Sequence, residues 1–218
     1  MKNLILASNS PRRKELLALF GWPFEVIPAD IDERQRLNEA PVRYVRRLAC
    51  EKAQAIAEQE QGLIMAADTI VVDGDELLGK PNGPADAGRM LQQLRGRTHQ
   101  VYTGIALIDT ETGTSVDDVC RTDVPMRTYS DAEMDAYIAS GDPLDKAGAY
   151  AIQHAGFHPV MEMTGCFASV MGLPLCHLSV ALCCMGFDLP GALPDRCQAT
   201  LGYDCPVHGE ILSRICPD

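Results

Sequence analysis

The chain has 218 residues, a formal charge of -11 and 46% hydrophobic residues. That length suits one α/β unit, and the charge excludes broad nucleic-acid binding, so any affinity for phosphates has to come from a local cationic pocket in an acidic exterior. No apolar run approaches the roughly 20 residues that span a bilayer, and nine cysteines without a secretion signal point to reduced thiols and a cytoplasmic protein.

Leu4 to Ala7 reads as a strand, followed by the loop Ser8-Asn9-Ser10-Pro11 and a helix on which Leu16, Leu17 and Phe20 recur until Gly21. Ser10 suits the N-cap and Pro11 the first helical turn, leaving free N–H groups at a helix end that attracts phosphate. Arg12 and Arg13 oppose the helix dipole there unless an anion binds. Phe24 to Pro28 suggests a second strand, running into Asp30-Ile31-Asp32-Glu33.

A helix is expected from about Pro41 to Gln59, with Val45, Leu48, Ala49 and Ile56 on its buried stripe. Lys52 falls on that stripe, and an inward ammonium requires an anionic partner. Leu63 to Ala67 is an apolar strand that delivers Asp68 and Thr69, continues through Ile70, Val71 and Val72, and returns after Asp73-Gly74 through Leu77-Leu78. Pro84 to Leu94 reads as a helix. His99 to Ile108 and Thr114 to Tyr129 read as long strands at the centre of a sheet, and Ser130 to Glu133 as a capping box opening a helix that Gly141 ends. Ala149 to Gln153, Val160 to Met163 and Phe167 to Met171 read as short strands, with a last helix from Leu173-Pro174 to about Met185. Pro and Gly recur after Gly186, so residues 187–218 are expected to form a loosely packed, irregular Cys/Pro/Gly-rich extension to a domain over 1–186.

Four features fit one pocket: the Ser8 to Arg13 loop, the acidic pair Asp32 and Glu33, the inward Lys52, and Asp68 with Lys80. Cations neutralise a polyphosphate, carboxylates hold a hard cation such as Mg²⁺ or Mn²⁺, and one carboxylate takes the proton of an attacking water. Each feature alone has a plainer reading as a solvated helix turn, a strand-end turn or an acidic surface. There is no Walker-type or kinase-type glycine loop.

Read together, Ala7-Ser8-Asn9-Ser10-Pro11-Arg12-Arg13-Lys14-Glu15-Leu16-Leu17, Glu51-Lys52-Ala53, Ala67-Asp68-Thr69, Gly79-Lys80-Pro81, Thr103-Gly104, Asp145 to Gln153 and Gly172-Leu173-Pro174-Leu175 resemble the Maf family, in its order, from about Leu4 to Leu182. The resemblance implies an α/β fold, Maf/ITPase-like, with a mixed central sheet, flanking helices and two lobes around a cleft. It also implies metal-dependent hydrolysis of a nucleoside triphosphate to monophosphate and pyrophosphate. Asp68 takes the proton-acceptor role, with Lys52 and Lys80 catalytic beside it. Arg12, Thr69 and Gln153 match the positions that set base preference in the branch acting on dTTP and UTP. Ser8 and Arg13 carry over as phosphate contacts, and Glu33 joins Asp68 as a metal ligand. Two readings stand beside this one: a pyrophosphatase for 7-methyl-GTP or modified purines, and a nucleotide-binding regulator of septum formation without turnover. A homodimer is compatible with either.

The sequence departs from the family pattern at His154-Ala155, where Gly is usual after Gln153, and at Gly165-Cys166-Phe167, where Gly-Ser-Tyr is usual. His154 and His158 thereby enter as candidate ligands against the plainer reading of loop histidines. In the extension, Cys197, Cys205, His208 and Cys216 offer a set for structural Zn²⁺, against the plainer reading of free thiols.

Overall fold

The computed structural model describes residues 2–189 and 191–214. The chain opens as read: β1 (Leu4–Leu6), α1 (Pro11–Ala18) and β2 (Phe24–Val26), with Ser10 as N-cap accepting from the Arg13 amide. Then come α2 (Pro41–Ala57), β3 (Leu63–Asp73), β4 (Glu76–Leu78), α3 (Pro84–Leu94), β5 (Thr98–Asp109), β6 (Thr114–Pro125) and α4 (Asp131–Ala139). The Ser130–Glu133 capping box forms in both directions.

One mixed sheet organises these elements in the order β2-β1-β3-β5-β6, with β4 paired to β3. β1 runs parallel to β2 and β3, whereas β3, β5 and β6 are antiparallel neighbours. β6 is therefore an edge strand, not central, and it stops at Pro125, which has no N–H to continue the ladder. The strand with neighbours on both sides along most of its length is β5, whereas β3 pairs β5 on one side and, on the other, β1 and β4 at its two ends.

Side-chain alternation divides the core into two faces. Ile5, Ala7, Ile64 and Ala66 meet Ala49, Ala53 and Ile56 of α2 on one face. Leu4, Leu6, Met65 and Ala67 meet Leu16, Leu17 and a C-terminal helix pair on the other. That pair is α5 (Phe167–Met171) and α6 (Leu175–Cys184), and His177 of α6 is tied to Asp118 of β6 at 2.7 Å. A separate apolar cluster joins Val71, Leu78, Leu91, Tyr129, Tyr137 and Phe157 and forms a second lobe at the far end of β3 and β5.

Three short stretches differ from the sequence reading. Phe167–Met171 is a helix that Gly172 at φ 111° ends, and a five-residue run is too short to show a helical period in the sequence. Ala149 to Gln153 forms no strand: a 3-10 turn over Ala147–Ala149 precedes it, and the Ala151 amide bonds the Tyr137 hydroxyl instead of a ladder. Val160 makes only an isolated bridge to Met126.

The extension is not irregular either. It forms α7 (Leu193–Leu201) and α8 (His208–Leu212), which bury Leu193 and Ile211 against the body. Pro194 stands in the first turn of α7 and Gly202 caps its end, so residues that punctuate the sequence serve here as helix boundaries. Among the described residues, no helix is long and apolar enough to cross a membrane.

Gly104 fixes how α2 lies on the sheet. A Cβ at this position would stand 2.6 Å from the Val45 carbonyl oxygen, so only glycine lets the α2 backbone approach β5 this closely. Gly104→Ala must push α2 outward. We expect it to cost about 1–3 kcal/mol in urea unfolding, and an unchanged midpoint would contradict this packing.

Candidate active site

The approach of α2 to the sheet brings Lys52 over β3, opposite Asp68. Both are almost fully buried, at 7% exposure each. The Lys52 Nζ donates to Asp68 Oδ1 at 2.6 Å, and Glu33 Oε1 lies 2.8 Å from the same nitrogen. The inward lysine thus has its anionic partners, one from the sheet and one from the loop after β2. Burial pushes the Asp68 carboxyl up from its ordinary value despite the opposing pull of Lys52 and Arg13. A carboxylate held in that way is a stronger proton acceptor than an exposed one.

Arg13, from the first turn of α1, completes the buried charges. Its Nε donates to the Gly172 carbonyl at 2.9 Å, Nη1 to Ser8 Oγ at 3.1 Å and Nη2 to Thr69 Oγ1 at 3.2 Å. Desolvation lowers its pKa, with Asp68 acting against it. Three of the five guanidinium N–H groups are therefore spent on fixing its direction, and two remain for a ligand.

Thr69 is spent in the same network. Thr103 Oγ1 donates to the Ser169 carbonyl at 2.8 Å, so at the 3.0 Å contact between the hydroxyls Thr69 is left to donate to Thr103. With its proton so placed and Arg13 donating to it, Thr69 faces the cleft as an acceptor.

These groups open on one cleft of about 560 Å³ between the two lobes. Ser8, Arg12, Arg13, Lys52, Asp68 and Thr69 line it, as do Glu33, Lys80 and Gln153. Ser8, Arg12, Arg13, Glu33, Lys52, Asp68, Thr69, Lys80 and Gln153 of the sequence reading therefore face the same space, with Lys80 and Gln153 exposed at its rim. Asp32 is the exception within the acidic pair. It does not line the cleft, because its carboxylate is clamped by Arg34 at 2.6 Å and held at about 2, chiefly by that bond.

At the opposite wall stand Asp145 and Lys146, quoted in the sequence motif but given no role by it. Arg12 Nη1 is 3.8 Å from Asp145 Oδ2, and the buried Lys146 donates to Asp145 Oδ1 at 2.6 Å and to the Asp142 carbonyl at 2.6 Å. Gly148, at φ 67° and with Val71 filling the space a Cβ would need, allows this turn to pack on β3. An aspartate followed by lysine and a small-residue turn was the available signal, but it does not say which side of a cleft the turn will face.

His154 is not poised as a ligand through Nδ1, which accepts from the Phe157 amide at 2.9 Å and the Gly156 amide at 3.3 Å. His158 is exposed.

For a cation, Asp68 and Glu33 are the carboxylates at hand, each turning one oxygen to Lys52 Nζ. Among the described residues no group of three or more His, Cys, Asp or Glu side chains is arranged to hold a metal alone. A Mg²⁺-like ion fits two carboxylates when phosphate oxygens and water supply the remaining ligands. In the extension, Cys197, Cys205 and His208 border one small apolar cavity, but His208 Nδ1 is engaged with the Cys205 carbonyl at 2.7 Å, and Cys216 lies outside the described residues. The zinc set read from the sequence is thus not assembled by the described part.

A family model for Maf-like proteins matches residues 3–185. The dTTP/UTP pyrophosphatase of Anaeromyxobacter dehalogenans (strain 2CP-C) is 46% identical over 193 residues, which is 88% of this chain and 98% of that protein. That of Citrifermentans bemidjiense is 48% identical over 189 residues, 85% of this chain and 98% of its own. Among solved structures, a HAM1 protein from Coxiella burnetii aligns over 58% of this chain and 73% of its own, with a TM-score of 0.42 and 18% identity.

Lys52→Met would leave the Asp68 carboxyl buried without its main partner. We expect a loss of about 3–5 kcal/mol in stability, partly recovered when Asp68→Asn is added. A double variant no more stable than Lys52→Met alone would show that the pair is not coupled in this way.

Proposed function

The chain belongs to the Maf-like family, and from that premise we propose that it hydrolyses nucleoside triphosphates, with dTTP and UTP preferred, to the monophosphate and pyrophosphate. The single observation that carries the chemistry is the buried Asp68 carboxylate, bonded to Lys52 and facing the same cleft as Arg13.

In this reading the triphosphate lies against the start of α1. The two free N–H groups of Arg13, the Arg12 amide in the first turn of α1 and Lys80 at the rim bind its oxygens, and Ser8 helps to hold Arg13 in place. Asp68 accepts the proton of the attacking water. Its burial favours that transfer, and Lys52 keeps it ionised beforehand. Mg²⁺ or Mn²⁺, held by Asp68 and Glu33, would supply charge neutralisation at the phosphates. Arg12, Thr69 and Gln153 take the base-reading role, Thr69 as acceptor and the Gln153 amide as donor and acceptor at the rim. An acceptor and an amide suit the N3–H and carbonyls of a uracil or thymine edge.

Pyrophosphate release measured across a panel of common and modified triphosphates is expected to be fastest with dTTP and UTP. Asp68→Asn should lower kcat by about a hundredfold or more while leaving KM within a few fold. Full turnover by that variant, or a clear preference for 7-methyl-GTP, would overturn the assignment.

A further inference from the structure

The extension lies beyond residues 3–185, which the family model matches, yet it reaches back to the part of the body that holds the cleft together. Tyr203 follows Gly202, whose φ of 59° turns the chain at the end of α7. Its hydroxyl stands 2.8 Å from the Met163 carbonyl and 2.9 Å from the Gly165 carbonyl, and its ring packs 5.4 Å from that of Phe167. One phenolic proton is therefore shared between two carbonyls. Burial pushes this phenol up to about 12, so it remains a donor at neutral pH. Phe167 has no hydroxyl of its own to serve those oxygens.

The loop so held is also confined on its other side. A Cβ at Gly165 would lie 2.6 Å from Thr122 Cγ2 of β6, so the loop is pressed between the edge strand and Tyr203. It leads directly into α5, which is only five residues long and so carries a displacement at its start through to its end, about 7 Å away. At that end the Gly172 carbonyl fixes Arg13 Nε, and within α5 the Ser169 carbonyl fixes Thr103, which in turn holds Thr69.

We infer that the C-terminal extension braces the substrate cleft, with Tyr203 as a positioning residue that sets Arg13 and Thr69 through α5. The inference rests on the cleft being the triphosphate site. Lys52 belongs to α2 and Asp68 to β3, neither of which the Tyr203 hydroxyl touches. Loss of the brace should therefore weaken nucleotide binding more than the chemical step.

The test uses Tyr203→Phe in the full chain, which removes the hydroxyl and keeps the ring. Its Kd for an α,β-methylene analogue of UTP, which cannot be cut between the α- and β-phosphates, should rise about three- to tenfold, and KM for UTP by a similar factor, with kcat within about twofold of wild type. The amides of Gly172 and Leu173 should exchange hydrogen faster, and Tyr203→Leu should move every readout further in the same sense. A Tyr203→Phe protein with lowered Tm but unchanged Kd and KM would make Tyr203 a packing residue and overturn the inference. Were wild type to bind the analogue but release no pyrophosphate from UTP, the hydrolase reading would fall, while Kd and exchange would still decide the brace. If wild type did neither, both would fall.

Discussion

An ammonium group held out of water between two carboxylates sets the terms for the rest of this molecule. Lys52 is inserted from α2, Asp68 is presented by the interior strand β3, and Glu33 arrives on the loop after β2. A buried charge is tolerated only when paired in good geometry, so the three elements have to meet at one place. Gly104 permits that meeting by allowing the Val45 carbonyl to settle directly on β5. The outcome is an ionised carboxylate in a poorly hydrated wall, which is poor economy for stability alone and useful for proton transfer.

Around that centre, the site is assembled from backbone carbonyls as much as from side chains. Arg13 is aimed by Gly172, Thr103 by Ser169, and Lys146 by Asp142. Each carbonyl belongs to a short helix or turn, or to the residue that ends one. A side chain with three of its bonds already committed has few directions left in which to move. The two remaining Arg13 N–H groups are consequently preorganised toward a ligand.

Much of this was legible in the sequence because local rules and global placement agree there. Ser10 and Pro11 mark the start of α1, the apolar stripe on α2 gives the inward direction of Lys52, and the apolar run before Asp68 reads as a strand that ends at the carboxylate. What escaped depends on contacts far apart in the chain. Phe167 to Met171 is too short to show a period, and it folds as a helix that the left-handed Gly172 ends. Asp32 and Glu33 are indistinguishable by sequence, yet Arg34 claims the first and Lys52 the second. The extension reads as irregular because Pro and Gly are frequent in it, whereas Pro194 and Gly202 bound α7 and Gly209 lies within α8. Nothing in its composition announces that Tyr203 will find the Met163 and Gly165 carbonyls.

The central claim is that Lys52, Asp68 and Arg13 form the chemical centre of a triphosphate site. It is tested most directly by a crystal structure of the protein with an α,β-methylene pyrimidine triphosphate and Mn²⁺, located by its anomalous signal. The account predicts phosphate oxygens within hydrogen-bonding distance of Arg13 and Mn²⁺ bound at Asp68 and Glu33. A triphosphate lodged at Lys146 and Asp145, with the metal away from Asp68, would contradict it.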